Sequence, residues 1–172
     1  SRKPAYPSII ASGKNALVLH YTNNNVTCLS GELILMDFGA EYANYAADLT
    51  RCIPVNGKFT KRQKEVYDAV LRIQRHAITL LKKGNTLETY NKAIAELVTK
   101  ELIDLKVLSL NEVKKEDKKH PLYKKYFMHG TSHFLGLDVH DVGNRFDPFK
   151  EGMVFTCEPG LYLKEEGIGI RL

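Results

Sequence analysis

Cysteine is scarce in this 172-residue chain, and Cys28, Cys52 and Cys157 stand far apart with no C-x-x-C spacing. That argues against both a disulfide framework and a thiolate metal site, and the three read as buried thiols. No apolar run approaches the ~20 residues that cross a bilayer, and the opening SRKPAYPSII lacks the apolar core of a secretory signal. No membrane association is expected, and the cytoplasm is the default location. Asn25-Val26-Thr27 matches a glycosylation acceptor, which matters only in a secreted chain. The net charge of +5 comes partly from the lysines of residues 113–125, VKKEDKKHPLYKK. No aromatic stacking platform or nucleic-acid motif accompanies them, so they read as a solvated surface and no nucleic-acid partner is expected. No internal repeat is visible. What remains is the composition of an ordinary globular protein, 44% hydrophobic and 26% charged, and a length that suits one domain.

Residues 16–21 (ALVLHY) and 33–39 (LILMDFG) are short apolar runs separated by the turn TNNN, and both predict strands. Residues 45–54 (YAADLTRCIP) would return beside the second, with the length of the EYANY connection left open. Beyond Gly57 the period changes. Val66, Val70, Ile73 and Ala77 recur at helical spacing after a Thr60 cap, and Gly84 lies past the end. A second helix is expected over 87–105 behind Thr86, with Leu87, Tyr90, Ile94, Leu97, Val98 and Leu102 on one face. Both helices should cover one side of a sheet. Ser109 and Glu112 have capping-box spacing ahead of a lysine-rich helical segment that Pro121 interrupts. Strands are expected again at 134–139, 153–157, 161–164 and in the closing GIGIRL.

The chemistry lies in Asp37 and Asp48, eleven apart, in HGTSHFLGLDVHD from His129 to Asp141, and in Glu158 within CEPG. Singly, Asp37 could end a strand, Asp48 could cap a turn, and a lone histidine is more often a surface or core residue than a ligand. Together, aspartates on adjacent strands can face one pocket, where only a cation or a raised pKa offsets their repulsion. Carboxylates with one imidazole form a hard, mostly oxygen donor set, suited to Mn²⁺ or a similar ion. Two such ions can share a water and supply hydroxide at neutral pH, so the residue types point to hydrolysis.

LHYTNN (19–24), MDFGAEY (36–42), ADLTR (47–51), PVNGKFT (54–60), FMHGTSHFLGLDVHDVG (127–143), EPGLY (158–162) and GIGIRL (167–172) follow one another across nearly the whole chain. In this order the sequence resembles the pita-bread metallopeptidases, and most closely their aminopeptidase P branch. The resemblance implies an α+β pita-bread fold, a strongly curved antiparallel sheet cradling the metals with helices outside. It implies metal ligation by Asp37, Asp48, His133 and Glu158, with Asp48 bridging and Glu158 also relaying a proton. By the same resemblance His20 and His140 hydrogen-bond the substrate, His129 lines the substrate pocket, and Arg171 orients the acidic ligands. The implied cofactors are two divalent ions, Mn²⁺ first and Co²⁺, Zn²⁺ or Fe²⁺ as alternatives. The implied partner is a peptide with proline second, cleaved when a metal-bridging hydroxide attacks the Xaa-Pro carbonyl, and a homo-oligomer is compatible with the sequence.

The chain stops at Leu172, one position before the family's second glutamate, and lacks the family's amino-terminal domain and first helices. It is therefore expected to be a fragment, truncated at both ends, of a catalytic domain spanning residues 1–172, and to hold a second metal weakly or not at all. Prolidase shares the metal positions and is the nearest alternative. Methionine aminopeptidase, creatinase and the non-catalytic pita-bread binding modules fit less well, the last because they typically lose the ligands retained here.

Overall fold

The computed structural model describes residues 3–172. Strands β1 (Ile9–Ser12), β2 (Leu33–Phe38) and β5 (Leu49–Pro54) form an antiparallel sheet in the order β1-β2-β5, and between β2 and β5 runs the hairpin β3 (Glu41–Tyr42) and β4 (Tyr45–Ala46). Alternation along β2 turns Leu33, Leu35 and Asp37 to the inner face, and Thr50, Cys52 and Pro54 of β5 stand opposite them. Asp37 is thus aimed by the same period of two that buries Leu35. Its direct partner across the ladder is Thr50; Asp48 lies two residues before Thr50 and shares its face as the diagonal neighbour. The connection left open in the sequence is a two-residue turn in which Ala43 and Asn44 both have positive φ, 51° and 70°. That conformation matches the twist of the flanking strands.

Gly39 lies where the two aspartate-bearing segments approach closely. A Cβ there would lie 1.7 Å from the Ala47 carbonyl oxygen, and the neighbouring Ala47 amide donates to Ala40 at 2.9 Å. Relief requires backbone movement, because the obstacle is a main-chain atom. Gly39→Ala is expected to cost at least the ~1–3 kcal/mol typical of overpacking, and to move Asp48 away from Asp37. Thermal unfolding together with titration of a divalent ion checks both effects.

Helices α1 (Lys61–Leu80) and α2 (Leu87–Asp104) start at capping boxes, Thr60 with Gln63 and Thr86 with Thr89. Val66, Val70, Ile73 and Ala77 of α1 are fully buried, as are Ile94, Val98 and Leu102 of α2. The helices pack on each other, and α1 also packs on the hairpin of β6 (Gly160–Leu163) and β7 (Ile168–Arg171). Between them Arg72 makes two hydrogen bonds, 2.7 and 2.9 Å, to the buried Glu101. The short helix α3 (Leu110–Lys115) follows its Ser109–Glu112 box. Among the described residues no helix is long and apolar enough to cross a membrane.

Three local expectations are corrected. The strand predicted at 16–21 is replaced by a 3-10 turn, Gly13–Leu17, because Ile9–Ser12 already occupies the edge of β2. Gly13, at φ 57°, breaks the strand, and Ala16 packs so closely on β7 that a Cβ at Gly169 would meet its carbonyl oxygen at 2.4 Å. The strands predicted at 134–139 and 153–157 reduce to one bridge, Phe134 to Phe155. Between Phe134 and Asp141 the chain folds back, with the Asp141 amide donating to the Phe134 carbonyl at 3.1 Å. Of the cysteines only Cys52 is buried; Cys157 is half-buried and Cys28 exposed.

Candidate metal centre

A cleft of about 870 Å³ collects every site residue named from the sequence: His20, Asp37, Asp48, His129, His133, His140, Glu158 and Arg171. They arrive from distant parts of the chain. Asp37 comes from β2, Asp48 from the approach to β5, His133 from the loop after His129, Glu158 from the segment entering β6, and Arg171 from the end of β7. The loop carrying His133 is stitched to the segment carrying Glu158 by Thr156 N–H to His133 C=O at 3.0 Å and Glu158 N–H to Thr131 C=O at 2.9 Å. Thr156 reinforces the pairing through its hydroxyl, which accepts from the His133 amide at 3.1 Å and donates to Glu158 Oε1 at 3.0 Å.

Asp48, His133 and Glu158 each offer one ligand atom within 4.8 Å of the others. His133 Nδ1 donates to the Phe134 carbonyl at 2.9 Å, which fixes the tautomer and turns Nε2 toward Glu158 Oε1 at 3.0 Å and Asp48 Oδ2 at 3.4 Å. Two carboxylates and an imidazole so oriented fit a hard divalent ion. Asp37 stands beside this group, in other contacts. Its Oδ2 accepts from Arg171 Nη2, and its Oδ1 faces the Tyr6 hydroxyl, which also lies 3.1 Å from Asp48 Oδ1. A carboxylate accepts about four bonds, so these two contacts leave Asp37 with lone pairs for an ion.

Arg171 organises the floor. Buried at 4% exposure, it reaches Asp37 and Tyr162 (3.1 Å), donates to Thr50 Oγ1 at 3.3 Å, and lies 4.0 Å from Glu158 Oε2. Tyr162 passes the chain on: its hydroxyl lies 2.8 Å from His129 Nε2, while His129 Nδ1 faces the Gly130 carbonyl at 2.7 Å. Since the carbonyl can only accept, Nδ1 carries the proton and Nε2 accepts from Tyr162. Burial lowers the His129 pKa, in keeping with a neutral ring. With both nitrogens engaged, His129 offers the cleft ring surface. His20 and His140 are exposed at the cleft, the latter edge-on to His133 with ring centroids 4.3 Å apart.

Tyr6 and Tyr162 were not singled out from the sequence. Tyr162 stands inside the quoted EPGLY, so a signal was present; Tyr6 lies in an irregular segment and meets its aspartates across 31 and 42 residues. Burial and the adjacent aspartates raise the Tyr6 pKa, keeping it a neutral donor.

The charges around His133 set a pH dependence. Burial lowers its pKa, but hydrogen bonds to Asp48 and Glu158 outweigh this and raise it from 6.5 to about 10. Burial raises Asp48, and the bonds from His133 and Tyr6 outweigh that, leaving it below the usual carboxylate range. The His133 contribution to metal-free stability is therefore complete below pH 6.5 and is lost as the pH rises toward about 10. The Asp48 contribution is lost at the acidic end, as its carboxylate protonates. Binding an ion at pH 8 is expected to release about one proton from His133 per site. Calorimetry of Mn²⁺ binding in buffers of different ionisation enthalpy measures that number.

The fold and the site define a class: an α+β chain in which antiparallel strands, backed by helices, surround a carboxylate and imidazole cluster. The chain belongs to metallopeptidase family M24, whose model matches residues 1–172, and its fold is the pita-bread fold. It is 42% identical over 184 residues to the Xaa-Pro aminopeptidase of Haemophilus influenzae, covering 100% of this chain and 42% of that protein. It superposes with a TM-score of 0.90 and 40% identity on Zn-substituted Escherichia coli aminopeptidase P in complex with product, covering 99% of this chain and 41% of the other. The same figures hold for Escherichia coli aminopeptidase P with the inhibitor Pro-Leu. The chain thus spans about two fifths of the length of these relatives.

Proposed function

We propose that the chain is the catalytic domain of a dinuclear metal aminopeptidase that removes the first residue from peptides with proline second. The observation that carries this reading is the convergence of Asp37, Asp48, His133 and Glu158 with His20, His129, His140 and Arg171 in one cleft. Likeness to relatives named Xaa-Pro aminopeptidase supplies the substrate class. Asp48, His133 and Glu158, with Asp37 beside them, would hold divalent metal, Mn²⁺ foremost, which would supply Lewis acidity toward the scissile carbonyl and hydroxide near neutral pH.

The protein's own groups then divide the work. Glu158 accepts the proton of the attacking water; Thr156 on Oε1 and Arg171 near Oε2 hold its carboxylate in place. Arg171 holds Asp37 in place, and Tyr6 steadies both aspartates. His20 and His140, exposed at the cleft, donate to the substrate and to the oxyanion. A dedicated enzyme suits this bond because the Xaa-Pro amide is tertiary and lacks the N–H that ordinary protease contacts use.

The test compares release of the first residue from an Xaa-Pro-Yaa tripeptide and an Xaa-Pro dipeptide with Mn²⁺ present. Tripeptide cleavage is expected. Cleavage of the dipeptide alone would assign prolidase activity instead, and cleavage of neither with metal bound would overturn the peptidase reading.

A further inference from the structure

Behind the candidate ligands lies a second polar group that the proposed mechanism does not use. Tyr90 of α2 is 1% exposed, yet its hydroxyl is satisfied by two residues that directly precede ligands. Ser132, next to His133, lies 2.9 Å away with its hydroxyl donating to Tyr90, and the Sγ of Cys157, next to Glu158, lies 3.7 Å away. Cys157 Sγ in turn faces the Gln74 carbonyl of α1 at 3.9 Å. One donor order satisfies all three contacts: Ser132 to Tyr90, Tyr90 to Cys157, and Cys157 to the carbonyl, which can only accept. The backbone bonds between the two ligand segments fix their register lengthwise. The Tyr90 hydroxyl ties both to the helix behind them.

We propose that Tyr90 is a positioning residue: by joining Ser132 and Cys157 to one buried atom of α2 it sets the separation and depth of His133 and Glu158, and hence the affinity and geometry of the site for a divalent ion. This rests on the metal reading of the cleft. An apolar residue of the same shape would pack α2 equally well, so the core alone does not require the hydroxyl. Partners one shell behind a metal ligand commonly change affinity about 10–100-fold when lost.

The test titrates Co²⁺ alone into metal-free wild-type, Tyr90→Phe, Ser132→Ala and doubly substituted protein, reading affinity and the visible ligand-field spectrum, with thermal unfolding alongside. Tyr90→Phe is expected to weaken Co²⁺ binding about 10-fold and shift the bands. The double variant should be no weaker than Tyr90→Phe, because both substitutions remove one bond. Unchanged affinity and spectrum, with only a lower melting temperature, would overturn the proposal and leave the metal reading intact. A wild-type protein that binds no Co²⁺ would overturn both. Should Tyr90→Phe fail to fold, Ser132→Ala decides the matter, since it breaks the same bond from the cleft side.

Discussion

His133→Ala is expected to reduce turnover on the order of 10³-fold and to weaken Mn²⁺ binding with it, because a metal supplies several kcal/mol of transition-state stabilisation. His133 is the one imidazole among the three clustered groups, and its Nε2 faces both Asp48 and Glu158. The substitution has a second signature. In metal-free protein the His133 cation offsets two carboxylates, so its loss at neutral pH destabilises the cleft through their repulsion. Lowering the pH far enough to protonate Asp48 should narrow the gap between variant and wild type. A variant that lost activity while keeping Mn²⁺ affinity would place His133 in the chemistry and outside the ligand set.

Arg171→Met carries the largest expected cost in stability, about 3–5 kcal/mol in metal-free protein, the usual result of removing one member of a buried ion pair. Arg171 and Asp37 are only 4% and 8% exposed. Asp37 would lose the cation bound to Oδ2 while still lying near Asp48, which shares its Tyr6 contact. Tyr162 and Thr50 would also each lose a donor. For a domain of this size the loss corresponds to roughly 6–20 °C in melting temperature. Added Mn²⁺ should restore part of it, since a divalent ion can replace the missing positive charge. A melting temperature within a few degrees of wild type would show that Asp37 gains little from the arginine.

The residues that gather in the cleft were legible mainly because the ordered motifs resemble those of the pita-bread metallopeptidases, and His20 and Arg171 were marked by that resemblance alone. Asp37 lies next to the last residue of a strand that the apolar run LILMDF predicts, and the helices announce themselves by caps and apolar stripes. Contacts that depend on distant packing were not legible. Tyr6 and Tyr90 acquire their roles from residues tens of positions away, and nothing around either marks it out. Residues 16–21 have the composition of a strand, but the available sheet edge belongs to Ile9–Ser12, a competition that no local propensity reveals. The reduction of 134–139 to a single bridge has a similar origin. The segment folds back at Gly136, where a Cβ would lie 1.9 Å from Asp141 Oδ2, so its apolar pattern reflects a packed loop.

The proposed chemistry requires that the cleft bind divalent ions through Asp48, His133 and Glu158. Crystals soaked in Mn²⁺, with anomalous scattering recorded at a manganese-sensitive wavelength, test this most directly. The prediction is anomalous density in direct contact with Asp48, His133 Nε2 and Glu158, with Asp37 reached by the same ions. Saturating Mn²⁺ that left no density in the cleft, with His133 still paired to Asp48 and Glu158, would contradict the account.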